Sequence, residues 1–308
     1  MEYNISHSEV DLYTRCQQAH LYNYSYGLVA TKAVSHVQKG TVLHKLLEVY
    51  YEQIRLGNGF EDGYDAGLSW YAKAVAEKLY PIDILNHAKR IFDKYVDHYD
   101  PREWEILDAE GYYEYRATLD ITFNFSPDLI VRQKRRRNKY YGQIGVIDHK
   151  SSMNFLTFWE TIQHTQLPKY IYALNMLDMY NGEQVTHGVL NQLRTREMVE
   201  YDPDKWFNRF EKDWTVRHQE GIFAEYLKVA KKIAARRAIP VAELKGDWTT
   251  KTLQKDVCKF CDYVQPCNEE LRGSSTVATT LRVYFKEKDL SYRTERKLKN
   301  GPSQTFGT

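Results

Sequence analysis

The feature that most constrains the fold is the position of four cysteines, one near the start of the chain and three near its end. Cys16 stands alone, while Cys258, Cys261 and Cys267 form a C-x2-C-x5-C cluster in "CKFCDYVQPC". If one metal centre binds all four thiolates, residue 16 must meet residues 258–267, and nearly the whole chain is closed into a ring. The start "MEYNISHSEV" has no features of a secretion signal, so we expect a reducing, cytoplasmic compartment in which disulfides are disfavoured.

The spacing of the cysteines leaves the occupant of such a centre open. Four thiolates suit either zinc or a 4Fe–4S cluster. Zinc sites more often come as two close pairs, and one remote cysteine with a clustered triplet is less usual for zinc. Four unrelated buried cysteines are the third alternative.

Composition excludes some classes of protein and leaves others open. The chain has 308 residues and is 43% hydrophobic, which is enough for one large domain or two small ones. Its 43 basic and 41 acidic residues give a net charge of +2, so any nucleic-acid-binding face must be a local patch. No apolar stretch approaches the length of a membrane span, and we expect no membrane partner.

The order of local patterns predicts a mixed α/β chain. Apolar residues recur at helical spacing in "HSEVDLYTRCQQAHLYNY", in "KGTVLHKLLEVYYEQIRLGNG" and over about 60–100. Residues 110–152 alternate and are rich in aromatic and β-branched types, so they predict three strands. A helix over about 156–180, a strand in "EQVTHGVLNQLRT" and a charged helical segment over about 203–245 follow. Residues 271–308 are expected to be a polar, partly disordered tail.

The strand in "GVIDHKSS" places an acid and a base at one end of a buried run. Side chains alternate faces along a strand, so Asp148 and Lys150 point to the same side. Asp128 begins the preceding apolar run "DLIVR", which we expect to pair with this strand. Two carboxylates bind a hard cation such as Mg²⁺ or Mn²⁺, and a lysine can stabilise developing negative charge, which suits phosphodiester hydrolysis. The alternative is that Asp128 caps a turn and that Asp148 and Lys150 form a surface pair.

These residues resemble the split P-D…(D/E)-x-K signature of the PD-(D/E)XK nucleases, with Pro127 before Asp128 and Asp148-His-Lys150 as the second part. "GTVLHKLLE" resembles the G-x-x-x-H helix of the RecB-type exonuclease branch, and "QLPKY" resembles its Q-x-x-x-Y motif. One cysteine before these motifs and three after them resemble the iron–sulfur members, namely the AddB nuclease domain and the CRISPR-associated spacer-acquisition exonucleases. The resemblance spans about residues 8–270.

The resemblance implies a restriction-endonuclease-like core, a central mixed sheet flanked by helices, as a single iron–sulfur domain over residues 1–270. It implies that the ligands of Mn²⁺ or Mg²⁺ are His44, Asp128 and Asp148, with the backbone carbonyl of His149 as a further oxygen. His44 is otherwise an ordinary, partly buried histidine.

Three further residues complete the implied catalytic set. Lys150 would position the water nucleophile, and Gln166 and Tyr170, at i, i+4 spacing, would contact that lysine, the nucleophile or the phosphate. Pro168 between them suggests that a helix starts or kinks there. The four cysteines would hold a 4Fe–4S cluster with a structural role.

Three assignments stay open within this interpretation. Asp120 in "ATLDITF" competes with Asp128 as the first acid, and we prefer Asp128 because its run leads directly into the "GVIDHK" strand. Glu110 is another acid before the strands, and its alternative role is that of a surface residue. The basic run over residues 132–140 is either a solvated turn or, if it faces the site, a guide for the phosphate backbone.

The expected function is therefore a metal-dependent DNA exonuclease acting on single-stranded ends. The pathway is recombination, repair, phage DNA metabolism or CRISPR adaptation, and proteins of those pathways are its expected partners. No G-x-x-x-x-G-K-S/T loop is present, so the chain carries no such helicase motor. The rival interpretation is a non-catalytic module that binds DNA ends or a partner and retains the nuclease fold. A second rival is a zinc-stabilised DNA-binding protein.

Overall fold

A computed structural model describes residues 2–31, 35–196, 202–240 and 251–288. Its helices are α1 His7–Arg15, α2 Gln17–His20, α3 Ser35–Arg55, α4 Phe60–Ala76, α5 Ile82–His98, α6 Phe158–Ile162, α7 Gln166–Met176, α8 Pro203–Trp206, α9 Val216–Arg237, α10 Lys255–Cys258, α11 Val264–Leu271 and α12 Val277–Tyr284. Its strands are β1 Tyr3–Ser6, β2 Leu28–Ala30, β3 Trp104–Ala109, β4 Tyr113–Arg116, β5 Ile121–Phe125, β6 Leu129–Gln133, β7 Ile144–Ser152, β8 Val185–Arg194, β9 Phe207–Asp213 and β10 Phe285–Glu287.

The chain forms two compact units. The larger unit contains Val34–Tyr112 and Ser126–Ile222, and the smaller contains Met1–Ala33, Tyr113–Phe125 and Phe223–Thr308. None of the helices in the described part of the chain is both long and apolar enough to cross a membrane.

The larger unit contains a five-stranded mixed sheet in the order β3-β6-β7-β8-β9. Only β7 and β8 are parallel, and the chain between them contains α6 and α7, because parallel neighbours need a long crossover connection. The expected central mixed sheet with flanking helices is therefore confirmed.

Strand β7 is buried along most of its length because helices cover both of its faces. Ile147 belongs to the core that α3 and α5 form with the sheet, whereas Asp148 contacts Gln166 of α7 on the other face. This alternation follows from the period of two in a strand. The helical spacing of α3 predicted an apolar stripe of Val42, Leu43, Leu46, Leu47, Tyr50 and Ile54. The first five lie in this core, Ile54 packs against it, and Tyr51 is a further core residue.

The smaller unit contains a three-stranded sheet, β1-β5-β4, and the pair β2-β10. A small core of Ala19, Tyr22, Tyr263 and Phe285 lies beside the cysteines, and Cys16 and Cys261 pack against it. Residues from both ends of the sequence thus meet in this unit, as a metal centre shared by the four cysteines would require.

Three elements differ from the sequence predictions. Residues 110–152 form four complete strands rather than three. The segment predicted to be helical over 203–245 contains strand β9, which pairs with β8, and its residues 241–245 lie outside the described part. The tail predicted to be polar and partly disordered forms α12 and β10 up to Glu287, and residues 289–308 lie outside the described part.

The basic run forms the turn of the β6–β7 hairpin at the end away from the acids. Asp128 precedes Leu129, which pairs with Ile147, whereas the turn occupies residues 134–143. The four residue steps from Ile144 to Asp148 span about 13 Å at the rise of a β-strand. The run is therefore an exposed turn, as the first alternative expected, and it lies at the opposite end of the hairpin from the acids.

Gly145 in β7 is required by a close neighbour rather than by its backbone angles. A Cβ at this position would lie 2.4 Å from Nε2 of the buried His187 ring. Gly145→Ala is therefore expected to lower the free energy of unfolding by about 1–3 kcal/mol, the usual cost of overpacking. Urea unfolding would measure it.

Gly221→Ala is the matched control, because a Cβ at that position in α9 meets no atom within 4 Å. It should leave stability unchanged or raise it by up to about 1 kcal/mol. Equal stability of the two variants would contradict the proposed contact.

Candidate active site

The β6–β7 pairing brings two acidic residues together at the open end of the hairpin. Asp128 directly precedes β6, and its Oδ2 accepts a hydrogen bond of 2.5 Å from the backbone N–H of His149, the neighbour of Asp148. Helix α3 adds His44, whose Nδ1 lies 3.7 Å from Oδ1 of Asp128. His44 and Asp128, two of the residues predicted as metal ligands, therefore lie together in the larger unit, and Asp148 precedes His149 on strand β7.

A glycine lets α3 approach the sheet beside this point. Gly40 lies one helical turn before His44, and a Cβ on Gly40 would lie 2.5 Å from Oγ of Ser151, the residue after Lys150. A methyl group at the first glycine of "GTVLHKLLE" would therefore require the Ser151 hydroxyl to rotate away.

Lys150 is held by a network of side chains from β7 and α7. Its Nζ lies 2.9 Å from Oδ2 of Asp148 and donates a 2.9 Å hydrogen bond to Oε1 of Gln166. The Gln166 amide donates to Oδ1 of Asp148 at 3.1 Å and to the hydroxyl of Tyr170 at 2.8 Å. Helix α7 begins at Gln166, so Pro168 lies in its first turn, where no intrahelical N–H is needed.

Glu110, an acid whose alternative role was that of a surface residue, lies beside His44 and Asp128. One ligand atom from each of His44, Glu110 and Asp128 lies within 4.8 Å of the other two, which makes them a group that could hold a metal ion. No motif of the sequence includes Glu110, and only tertiary packing brings it here.

Backbone geometry holds Glu110 in place. Its φ of 54° is in the left-handed region, which costs a non-glycine residue about 1–2 kcal/mol. Its N–H donates to the carbonyl of Asp128 at 2.9 Å, and the hydroxyl of Ser126 donates to the Gly111 carbonyl at 2.7 Å. Strain of this kind is common where a side chain must be aimed at a site.

The two aspartates have opposite pKa shifts. Burial raises the pKa of Asp148, the Lys150 ammonium opposes this, and the Asp128 carboxylate adds to it. Burial alone would also raise the pKa of Asp128, but the positive charge of His44 outweighs it and holds that pKa well below the ordinary range. A pair of carboxylates that resists full ionisation on its own is well suited to bind a divalent cation. The charge of the cation offsets the cost of having both carboxylates ionised in a buried site.

Two further histidines lie near the acids, and both are held neutral. His149 accepts from the Asn191 amide at 2.8 Å and stacks on Tyr51, and burial lowers its pKa to about 3. His164 has Nε2 3.9 Å from Oδ2 of Asp148, and burial lowers its pKa to about 3 as well. Sequence reasoning missed His164, which lies two residues before the Q-x-x-x-Y motif.

The competing acid, Asp120, lies in the smaller unit. Its carboxylate is exposed and accepts a 2.6 Å hydrogen bond from the hydroxyl of Thr118. Of the two alternatives for the first acid, Asp128 is the one beside His149.

All four cysteines line one cavity of about 40 Å³ in the smaller unit. Burial raises the pKa of the Cys267 thiol to about 11; the Lys251 ammonium opposes this, while Cys16 and Cys261 add to it. Such mutual repulsion arises when thiols are close enough for their charges to interact.

Comparison with known proteins identifies the class to which this site belongs. The family model of the PD-(D/E)XK nuclease superfamily matches residues 4–268. The chain therefore belongs to that superfamily of nucleases, whose members act with divalent cations such as Mg²⁺ or Mn²⁺. No curated protein matches the chain.

Solved structures that resemble this chain include a candidate exonuclease from Eubacterium rectale, with 10% identity, 85% of this chain and 87% of that chain covered, and a TM-score of 0.47. The protein SSO0001 has 13% identity, coverage of 74% and 92%, and a TM-score of 0.33. LHK-Exo in complex with dAMP has 12% identity, coverage of 56% and 82%, and a TM-score of 0.28. The family assignment rests on the match over residues 4–268 alone.

Proposed function

We propose that the protein is a metal-dependent DNA exonuclease of the RecB type that acts on single-stranded ends. The observation that carries this proposal is the convergence of Asp128, Asp148 and Lys150 at the open end of one hairpin, with His44 beside them. The preference for single-stranded ends comes from the family resemblance of the G-x-x-x-H and Q-x-x-x-Y segments.

The donors present fit a divalent cation. His44, Glu110 and Asp128 present ligand atoms within 4.8 Å of one another, a spacing from which all three can reach one ion at about 2.0–2.4 Å. Asp148 would add a second aspartate, and an imidazole in the set favours Mn²⁺ over Mg²⁺. The cation, when bound, would lower the pKa of water and neutralise charge on the phosphate.

The remaining residues act on the nucleophile and the phosphate. The Lys150 ammonium would orient a water molecule and stabilise negative charge as it develops on the phosphate. Gln166 would hold Lys150 in position, because its amide bonds Lys150, Asp148 and Tyr170 together. Tyr170 would act as a neutral hydrogen-bonding group, since burial raises its pKa far above neutrality.

A direct test follows linear and circular single-stranded DNA of the same sequence in Mn²⁺. The linear strand should be degraded and the covalently closed circle should survive. Labelling each end in turn would then reveal the polarity. Cleavage of the circle would contradict the requirement for an end, and no cleavage of either substrate in Mn²⁺ or Mg²⁺ would support the non-catalytic binding module.

We also propose that the four cysteines bind a 4Fe–4S cluster that staples the two ends of the chain together. The support for this proposal is that all four cysteines line one cavity of about 40 Å³, together with the family resemblance of their spacing.

Cys258→Ala is expected to lose iron and to lower the free energy of unfolding by about 2–5 kcal/mol, the range for removal of a cross-link between distant segments. Iron content and visible absorbance after anaerobic purification would measure the first effect, and urea unfolding the second. Phe260→Ala is a suitable control, because Phe260 lies between two of the cysteines and is 74% exposed. A variant that keeps its iron and its stability would contradict the staple. A colourless native protein that contains zinc would mean that the four cysteines bind zinc rather than a 4Fe–4S cluster.

Glu110 is proposed as a further ligand. Glu110→Gln is expected to weaken Mn²⁺ binding by about tenfold, by analogy with the loss of supporting groups at metal sites. Glu110→Gly should weaken it similarly yet raise stability by about 1 kcal/mol, because glycine accepts the left-handed backbone.

Titration of Mn²⁺ by electron paramagnetic resonance would measure the affinity of both Glu110 variants. Glu105→Gln is the control, because Glu105 is half-exposed and lies on strand β3, which ends one residue before Glu110. Unchanged affinity in Glu110→Gln would restrict the ligands to the histidine and the aspartates.

A further inference from the structure

Two large aromatic side chains are exposed on the segment that joins Lys150 to Gln166. Phe158 is 63% exposed and Trp159 is 68% exposed, and their ring centroids lie 5.6 Å apart. Helix α6, which contains both, is only five residues long. Leaving both rings exposed on such a short helix is unfavourable unless another molecule covers them.

The segment is anchored close to the active site at both ends. The backbone N–H of Leu156 donates a 2.6 Å hydrogen bond to Oε1 of Gln192, the buried residue that pairs with Lys150 in the β7–β8 register. Five residues after Trp159, Nε2 of His164 lies 3.9 Å from Asp148. Helix α6 covers this stretch as far as Ile162, so Trp159 and His164 are closer than the roughly 17 Å that five extended residues can span.

The segment is also held in a defined conformation. Thr157 caps α6 by accepting from the Glu160 N–H, and the Glu160 carboxylate accepts from the Thr157 N–H at 2.7 Å in return. Phe158 makes an edge-to-face contact with Phe210 of β9, at a centroid distance of 6.4 Å. Two rings fixed in this way lose little conformational freedom when a ligand stacks on them.

Positive charge lies beside a third aromatic ring of the same segment, Phe155. The Arg194 guanidinium lies 4.4 Å from the centre of the Phe155 ring, and its buried Nε has no hydrogen-bond partner. Aromatic faces with a neighbouring guanidinium are the combination that binds unpaired bases and their phosphates. Bases within a duplex already stack on each other and cannot reach such rings.

We propose that Phe158 and Trp159 form a stacking platform for the bases of a single-stranded DNA end as it enters the active site. This inference rests on the proposed function, because the strand must be one whose phosphates reach Asp148 and Lys150. The platform would give the enzyme a structural reason to prefer unpaired ends, since only unpaired bases gain the stacking contact.

The test compares two fluorescein-labelled oligonucleotides of equal length, an oligothymidylate and an abasic strand with the same phosphates. Binding is measured by fluorescence anisotropy in the full chain with Lys150→Ala, in Mn²⁺. Adding Trp159→Ala should weaken binding of the oligothymidylate by about tenfold and leave the abasic strand unchanged. Trp159→Phe should retain most of the affinity, and Tyr141→Ala, which removes another half-exposed aromatic residue of the larger unit, should change neither.

Two results would overturn the platform. Equal weakening on both strands would mean that Trp159 only supports the segment, and unchanged binding of both would mean that the rings serve another partner. Failure of the proposed function is a separate result, because it is measured as absence of cleavage by the native protein. In that case the comparison of the two strands still reports on stacking.

Discussion

Replacing Lys150 with alanine should lower the rate of DNA hydrolysis by about 10²–10³-fold, the usual effect of removing one group that stabilises developing charge. The ammonium is the one cation in hydrogen-bonding contact with both Asp148 and Gln166 among the described residues. Its loss also leaves the Asp148 carboxylate without the charge that opposes the effect of burial, so the pKa of Asp148 should rise further.

Single-turnover degradation of end-labelled DNA in saturating Mn²⁺ would measure this effect apart from binding. Lys89→Ala is the matched control, because Lys89 forms a 2.7 Å pair with Asp93 on helix α5 of the same unit. The control should cut at the native rate. If the Lys150→Ala protein retained a tenth of the native rate or more, the lysine would not act in the chemical step.

The second large effect is expected for Asp128→Asn. The amide keeps an oxygen that can accept from the His149 N–H, so the hairpin end should persist, but the charge that attracts the cation is lost. We expect Mn²⁺ affinity to fall by about 10–100-fold and hydrolysis at limiting Mn²⁺ to fall with it. The pKa of His44 should also fall, because the Asp128 carboxylate is what raises it.

Asp120→Asn supplies the control, since Asp120 is the acid that competes with Asp128 in the sequence. Isothermal titration with Mn²⁺ would compare the two variants, and an NMR pH titration of the His44 ring would follow the change in its pKa. Loss of affinity in Asp120→Asn with native affinity in Asp128→Asn would reverse the assignment of the first acid.

The pKa shifts of the site explain why its acids and its cation belong together. Without a cation, burial favours a protonated Asp148, while His44 keeps Asp128 ionised. A divalent ion would bring both carboxylates to the charged form, so binding should release protons and weaken as the pH falls. His149 and His164 do not supply a positive charge that would compete with the cation, because burial keeps both rings neutral near pH 7.

The sequence by itself determined the local features of the site and of its supports. The alternation in "GVIDHK" placed Asp148 and Lys150 on one face, and the apolar stripe of α3 placed His44 on the helix that packs against the sheet. These predictions succeeded because periodicities of two and of 3.6 residues are properties of a single element. The sequence placed the basic run between the two strands. Its position at the end of the hairpin away from the acids needed the pairing of Leu129 with Ile147, which the structure supplies.

Only the tertiary structure decided which distant residues share the site. Glu110 and His164 carry no motif, and each joins the site because an element elsewhere in the chain packs beside it. Strand β9 has the charged composition of a helix, "FNRFEKD", and is a strand because β8 supplies its hydrogen-bond partners. Pairing and packing between distant segments override local propensity, because the free energy of those contacts exceeds the small preference of each residue for one conformation.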